Sequence, residues 1–216
     1  MPTDDFDSLA SRADLCRLLA ACYYQPGPEF AEEKLFDSMH SAAASLDAGL
    51  AARVRRLGEA FAAAGAEDLL VDYTRLFLGP IDTLAQPYGS VWLEARQSLM
   101  QDSTLAVLNL YAEGGFEMDE AFRDLPDHIA AELEFLYLLL FRQAEARRNG
   151  DGQTVARYAR LQGRLLGEHL GHWVVPFTAA METGAKTTFY RELARLTGAF
   201  VGSELVAAGS LGGARR

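Results

Sequence analysis

Asp127 and His128 stand side by side ahead of an apolar helical run, and an adjacent carboxylate and imidazole are the residue types of general acid/base chemistry. Acting as a proton-transfer pair, they would make the chain a small hydrolase or a nucleotide-hydrolysing protein. The first turn of a helix favours the neutral imidazole, and the nearby carboxylate opposes it. The rest of an active site is missing. Cys16 and Cys22 alternate with Leu15, Leu18, Leu19 and Ala20, the pattern of buried structural thiols rather than of a nucleophile. Their helical separation of roughly 9 Å is also beyond disulfide reach, which predicts a reducing compartment. Of the four histidines only His169 and His172 share an i, i+3 spacing. No second pair completes a ligand set, so neither a metal nor a cofactor is expected. His169 reads as the last residue of a helix, placed on its dipole and followed by an exposed turn at Gly171. Glycine-rich phosphate loops of the G-x-x-x-x-G-K-[ST] type are absent.

Binding residues are better represented. Tyr73, Leu76, Phe77 and Pro80 fall on one helix face that leads into a loop. The loop carries Pro87, Tyr88, Ser90 and Trp92, and amphipathic aromatics there can bury a ring while keeping a polar handle. From Glu113 to Glu134 eight acids (Glu113, Glu117, Asp119, Glu120, Asp124, Asp127, Glu132, Glu134) face Arg123 alone. That segment therefore holds a net −7 of the chain's −10, and predicts a cationic ligand more sharply than a solvated face. The aromatic loop and the Asp127–His128 pair make one site only if the fold brings them to one groove.

The elements that must position these residues are helical throughout. Apolar residues recur at three- and four-residue steps and no alternating β-branched run occurs, which predicts an all-α bundle of about eight to ten helices. The first runs from about Phe6 to Tyr24, stopped by Gln25-Pro26-Gly27-Pro28, and a second starts near Glu29. Asp47 caps a third through Ala64, and a fourth covers Glu67 to Leu78. Gly79 to Ser90 has no helical period, and a long ordered loop inside a domain is more often functional than filler. Helices resume from Leu93 to Glu113 and break at Gly114-Gly115. Pro126 opens the next, to about Arg148, with Asp124 or Asp127 as its cap. Further helices fill Thr154–Leu170, Trp173–Thr183 and Lys186–Ala208. Residues 1–208 are expected to form one domain and 209–216 a flexible Gly-rich tail.

With 216 residues, half of them hydrophobic, the chain can bury one sizeable core. No apolar run approaches the roughly 18 residues of a membrane span. Its negative charge repels phosphate, so nucleic acid is not an expected partner. Met1-Pro2-Thr3-Asp4-Asp5 is acidic where a signal sequence would be basic, predicting a cytoplasmic location.

At these segments the sequence resembles the TorD/DmsD family of cytoplasmic chaperones that mature exported molybdenum-cofactor oxidoreductases. The resemblance runs in order from Tyr73-x-x-Leu76-Phe77-x-Gly79-Pro80 through Pro87-Tyr88-Gly89-Ser90-Val91-Trp92-Leu93 and Asp102-Ser103-Thr104-Leu105. It continues with Pro126-Asp127-His128-Ile129-x-x-Glu132-Leu133-Glu134-Phe135, Trp173-x-x-Pro176-Phe177 and Phe189-Tyr190-x-x-Leu193, and so covers roughly residues 67–200. It implies an all-helical fold, no enzymatic activity, and binding of the twin-arginine signal peptide of an apo oxidoreductase until cofactor is inserted. The implied peptide pocket is Tyr73, Leu76, Phe77, Pro87, Tyr88, Ser90 and Trp92, with Asp124, Asp127 and His128. The implied assembly is a monomer or a domain-swapped dimer. Two positions depart from the family pattern: Leu125 follows the acid where proline is usual, and Gln86 precedes Pro87 in place of a second proline. Both lie where a peptide would be read, so client preference is the property they affect.

Overall fold

A stripe of apolar side chains along a 3.6-residue period has to be buried, and here the helices bury it against one another. The computed structural model describes residues 6–27, 30, 34–79, 83–94, 99–100, 102–119 and 122–213, with side chains to 209. Among the described residues there are ten α-helical segments and no β-strand, in accord with the all-α expectation. They are α1 (Phe6–Ala21), α2 (Leu35–Ala44), α3 (Ala48–Ala63), α4 (Ala66–Tyr73), α5 (Gly89–Leu93), α6 (Asp102–Gly114), α7 (Ile129–Arg148), α8 (Gly152–Arg164), α9 (Gly171–Gly184) and α10 (Thr188–Gly213). A π-helical turn, Thr74–Leu78, prolongs α4, and a second, Leu165–Leu170, joins α8 to α9.

The longest contacts pair α1 with α7, α7 with α8, α9 with α10, and α10 with α3. Trp173, Tyr23, Tyr190, Phe177, Phe189 and Phe200 are fully buried at the centre. A polar network crosses this core. Arg12 of α1 grips Glu204 of α10 through two hydrogen bonds, Nε to Oε1 at 2.9 Å and Nη2 to Oε2 at 2.8 Å. Gln162 of α8 donates to the same carboxylate at 3.1 Å, and Gln143 of α7 donates to Gln162 at 2.9 Å. Four helices are thereby registered at their buried faces, and the first is tied to the last.

Several boundaries differ from the sequence reading. α1 ends at Ala21; Cys22, Tyr23 and Tyr24 follow in a tight turn whose N–H groups bond three residues back. That turn sends Tyr23 inward, its hydroxyl 2.6 Å from Thr197 Oγ1, and leaves Tyr24 exposed. The helix after the acidic segment begins at Ile129, not Pro126, and its cap is His128 rather than Asp124 or Asp127: His128 Nδ1 accepts from Ala130 N–H at 3.1 Å. Asp127 does not cap because its carboxylate is engaged by a different segment. The two helices expected on either side of Gly171 are one continuous rod, with His169 inside the π-turn and no exposed turn after it. Gly171 is required there. Its N–H reaches back five residues to the Leu166 carbonyl, and a Cβ would stand only 2.2 Å from that oxygen. α10 continues to Gly213, beyond Ala208. Pro80, Glu120, the helix start near Glu29 and residues 214–216 lie outside the described residues.

The buried Arg12–Glu204 pair generates a stability prediction. Arg12→Leu takes the guanidinium away from the buried Glu204 carboxylate and should cost about 3 kcal/mol or more. Adding Glu204→Leu should recover a large part of that loss, as read by urea denaturation of both variants.

Candidate functional site

The loop before α5 and the turn before α7 are joined by backbone. Ile129 N–H donates to Pro87 C=O and Gly89 N–H to Asp127 C=O, each at 2.8 Å, which pairs Tyr88 with His128 in an antiparallel bridge. Asp127 adds a third bond, its Oδ2 accepting from Ser90 N–H at 2.8 Å. Sequence positions some forty apart are thus held side by side, so the aromatic loop and the acid–histidine pair do converge.

Asp127 and His128 do not form an acid/base dyad. Each is committed elsewhere: Asp127 to Ser90 N–H, His128 Nδ1 to Ala130 N–H. With Nδ1 accepting, the remaining proton sits on Nε2, which points toward Asp124 Oδ2 at 3.9 Å. Burial lowers the His128 pKa, with Asp124 and Asp127 opposing the shift, so the ring is neutral near pH 7.

Of the ten residues singled out in the sequence, Tyr73, Leu76, Phe77, Pro87, Ser90, Asp127 and His128 are buried. Phe77 meets the rings of Tyr23, Tyr73, Phe177 and Tyr190. These side chains hold the site from below. Tyr88 and Trp92 are half-buried and Asp124 is exposed. Trp92 donates its indole N–H to Gln86 C=O at 2.8 Å and packs edge-on against Phe177. Tyr88 lies edge-on to the His128 ring, with Asp124 close enough to raise its hydroxyl's pKa. Tyr73 is positioned by its neighbour Asp72, which accepts from Lys186 N–H, Thr187 N–H and the Thr187 hydroxyl ahead of α10, and from Arg75.

Two members of the surface are not among the pocket residues read from the sequence: Tyr24, and Glu134, which counts there only with the acidic segment. The Tyr24 hydroxyl donates to Glu134 Oε1 at 2.7 Å, and burial together with Glu134, Asp124 and Tyr73 raises its pKa. Burial and Asp124 also raise the pKa of Tyr73 and Tyr88. Three tyrosines and two carboxylates therefore share one patch, and among the described residues neither carboxylate is paired with an arginine or lysine. Glu134 carried a signal, since it lies in the Pro126–Phe135 block. Tyr24 carried none, because it reaches the patch only through the turn after α1. The acid count, by contrast, overstated the free charge: Glu113 pairs with Arg164, and Asp127 and Glu132 are buried.

Beneath the loop lies a second buried group. Glu132 Oε2 accepts from His169 Nδ1 at 3.0 Å and from Trp173 Nε1 at 3.2 Å, while His169 Nε2 reaches Ser103 C=O at 3.0 Å. Gly89 rests on this trio; a Cβ there would stand 2.9 Å from His169 Cε1 and 3.0 Å from Trp173 Nε1. Burial works against a charged His169, but Glu132 and the Ser103 carbonyl outweigh it and raise the pKa above 6.5. Burial raises Glu132 as well, with His169 opposing it. His172, three residues on, is exposed and bonds to Gly167 C=O at 2.7 Å, so the two histidines share no site. Among the described residues no cluster of ligating side chains suits a metal. Cys16 and Cys22 are buried thiols bonded to Leu133 C=O and Leu18 C=O, and burial pushes both pKa values up.

The family model described as nitrate reductase delta subunit matches residues 43–179, spanning both the loop and the Asp127–His128 turn. The chain belongs to the TorD/DmsD chaperone family. It is 31% identical to the Tat proofreading chaperone DmsD of Salmonella typhi, over 90% of this chain and 87% of that protein. It is 28% identical to the perchlorate reductase assembly chaperone protein of Dechloromonas aromatica, over 62% of this chain and 60% of that one. A crystal structure described as a redox enzyme maturation protein from Archaeoglobus fulgidus shares the fold, with a TM-score of 0.54 at 20% identity over 88% of this chain and 93% of that one. Members of the TorD/DmsD family so named are chaperones and assembly proteins, not enzymes, which sets aside the hydrolase alternative. Among the described residues no helix is long and apolar enough to cross a membrane.

Two outcomes are expected. Gly89→Ala forces a methyl into the His169–Trp173 contact and should destabilise the fold by about 2 kcal/mol, seen as a lowered Tm. The folded protein also holds the His169 proton more tightly than the unfolded chain, so the stability this one group contributes is full below pH 6.5 and is lost as pH rises through its folded pKa. Urea melts at pH 6 and pH 9 should show that fall in the wild type and a smaller one in His169→Gln.

Proposed function

We propose that this TorD/DmsD family member binds the twin-arginine signal peptide of an apo molybdenum-cofactor oxidoreductase in the cytoplasm and holds it until cofactor is inserted. The observation that carries the reading is the patch of Tyr24, Tyr73 and Tyr88 around Asp124 and Glu134, two surface carboxylates with no basic partner among the described residues. Guanidinium groups suit such a patch twice over: their planar forks pair with carboxylates, and their faces stack on aromatic rings. His128, kept neutral by burial, adds no repulsion. The apolar stretch that follows the arginines of a signal needs a greasy neighbour, and Leu70, Val71 and Leu78 stand exposed on the helix that carries Tyr73, with Leu84 exposed on the loop. The buried residues of the sequence pattern, Leu76, Phe77, Pro87, Ser90 and Asp127, act here by holding Tyr73, Tyr88 and Trp92 in place. The names of the DmsD, TorD and perchlorate reductase chaperones support a redox-enzyme client.

Calorimetric titration of an Arg-Arg signal peptide tests the reading. Asp124→Asn, Glu134→Gln, or a Lys-Lys peptide should each weaken binding roughly ten- to hundredfold, the range for losing a hydrogen bond to a charged group. High salt should reproduce part of that loss. Trp92→Ala and Tyr88→Ala should weaken binding at every ionic strength, because ring burial is not screened. Acidification below the His128 pKa should weaken it as well, since the charged ring then faces the arginines. Affinity unchanged in both the acid and the aromatic variants would overturn the assignment.

A further inference from the structure

The rod formed by α8, its π-turn and α9 places His169 where no regular helix would, pointing at the underside of the loop. Both ring nitrogens face acceptors at 3.0 Å, a carboxylate on one side and the Ser103 carbonyl on the other. A neutral imidazole can donate only once, so with Glu132 ionised the doubly protonated ring is the form that serves both acceptors. The two acceptors then hold α5 from both ends. At its start, Gly89 lies against His169, Glu132 and Trp173. Just beyond its end, Glu94 Oε1 accepts from Ser103 N–H at 2.9 Å and from the Ser103 hydroxyl at 2.7 Å, and the carbonyl of that same Ser103 is the one that faces His169. Between these two anchors stand Ser90, joined to Asp127, and Trp92, packed on Phe177.

We propose that His169 is a positioning residue: as an imidazolium bridging Glu132 and Ser103, it locks α5 and its flanking Tyr88 in the peptide-receiving arrangement, so that losing one proton loosens the loop and lowers affinity. This rests on the function proposed above only for its binding readout. Asp127 and Glu132 face His169 from the α7 side and favour its charge, with Tyr111 of α6 beyond Glu132. A groove of about 410 Å³ borders its other side, lined by Glu113 of α6 and by Arg164 and Glu168 of its own helix, of which Arg164 pairs with both acids. His128 titrates on the acid side of pH 6.5, opposite in sense to this effect.

The chain has two tryptophans, and their indole N–H groups report the two ends of the device: Trp173 is bonded to Glu132, and Trp92 is bonded to Gln86 in the loop. NMR titration of both indole resonances in the full chain from pH 6 to 10, with peptide affinity measured alongside, tests the proposal. In the wild type both resonances should move with one midpoint, and affinity should fall by roughly five- to tenfold across it, the equivalent of one hydrogen bond. In His169→Gln both resonances should be flat over that range, and affinity should be low and independent of pH. Glu132→Gln removes the neighbouring charge and should shift the shared midpoint to lower pH, which keeps the test alive if the histidine variant folds poorly. A Trp92 resonance that fails to follow Trp173, that still titrates in His169→Gln, or that keeps its midpoint in Glu132→Gln overturns the proposal. A wild type whose indoles titrate together but which binds no Arg-Arg peptide at any pH overturns the assigned function and leaves the lock intact.

Discussion

Three N–H groups decide what this molecule presents to solvent. Gly89 and Ser90 of the loop donate to the carbonyl and carboxylate of Asp127, and Ile129 donates back to Pro87. Buried backbone polar groups must find partners, and here the loop and the start of α7 serve as partners for each other. Once that pairing forms, Tyr88 lies against His128, Asp124 is carried to the Tyr88 hydroxyl, and Trp92 is turned onto Phe177. Asp127 is buried, and its Oδ2 and backbone carbonyl hold the two segments together.

Charge is sorted in the same way. The acidic segment is not a uniform negative face. Glu132 goes inward to His169, Glu113 is neutralised by Arg164, and Asp127 serves the loop, while Asp124 and Glu134 are the two of the segment that stand among tyrosines. The same separation of roles applies to the aromatics. Phe77, Phe177, Trp173 and Tyr190 form the floor with Tyr73 buried against it, Tyr88 and Trp92 are half-buried above it, and Tyr24 is exposed. A packed aromatic floor keeps the rings above it in place, which suits the peptide-binding role proposed for this surface.

Much of this was determined by the sequence itself. Helical periodicity determined the fold class, since a 3.6-residue apolar stripe has no other way of being buried; Asp47 and Asp151 cap α3 and α8, and Gly115 and Gly150 sit in turns at positive φ. The ordered blocks from Tyr73 to Leu193 marked the family, and the loop and the Asp127–His128 turn were marked as belonging together. Tertiary structure alone decided which atoms do the holding. The sequence offered Asp124 or Asp127 as the cap of α7; the cap fell to His128, while Ser90, thirty-seven residues away, claimed the Asp127 carboxylate. His169 and Gly171 read as a helix end because glycine normally stops a helix, yet a π-turn carries the chain through and turns the imidazole inward against Glu132. Tyr24 joins the patch through the packing of α1 on α7, a contact between residues 110 positions apart that no local pattern encodes. Spacing along a helix is a local property and is written in the sequence, whereas the partner of a buried polar group is settled only when distant segments compete for it.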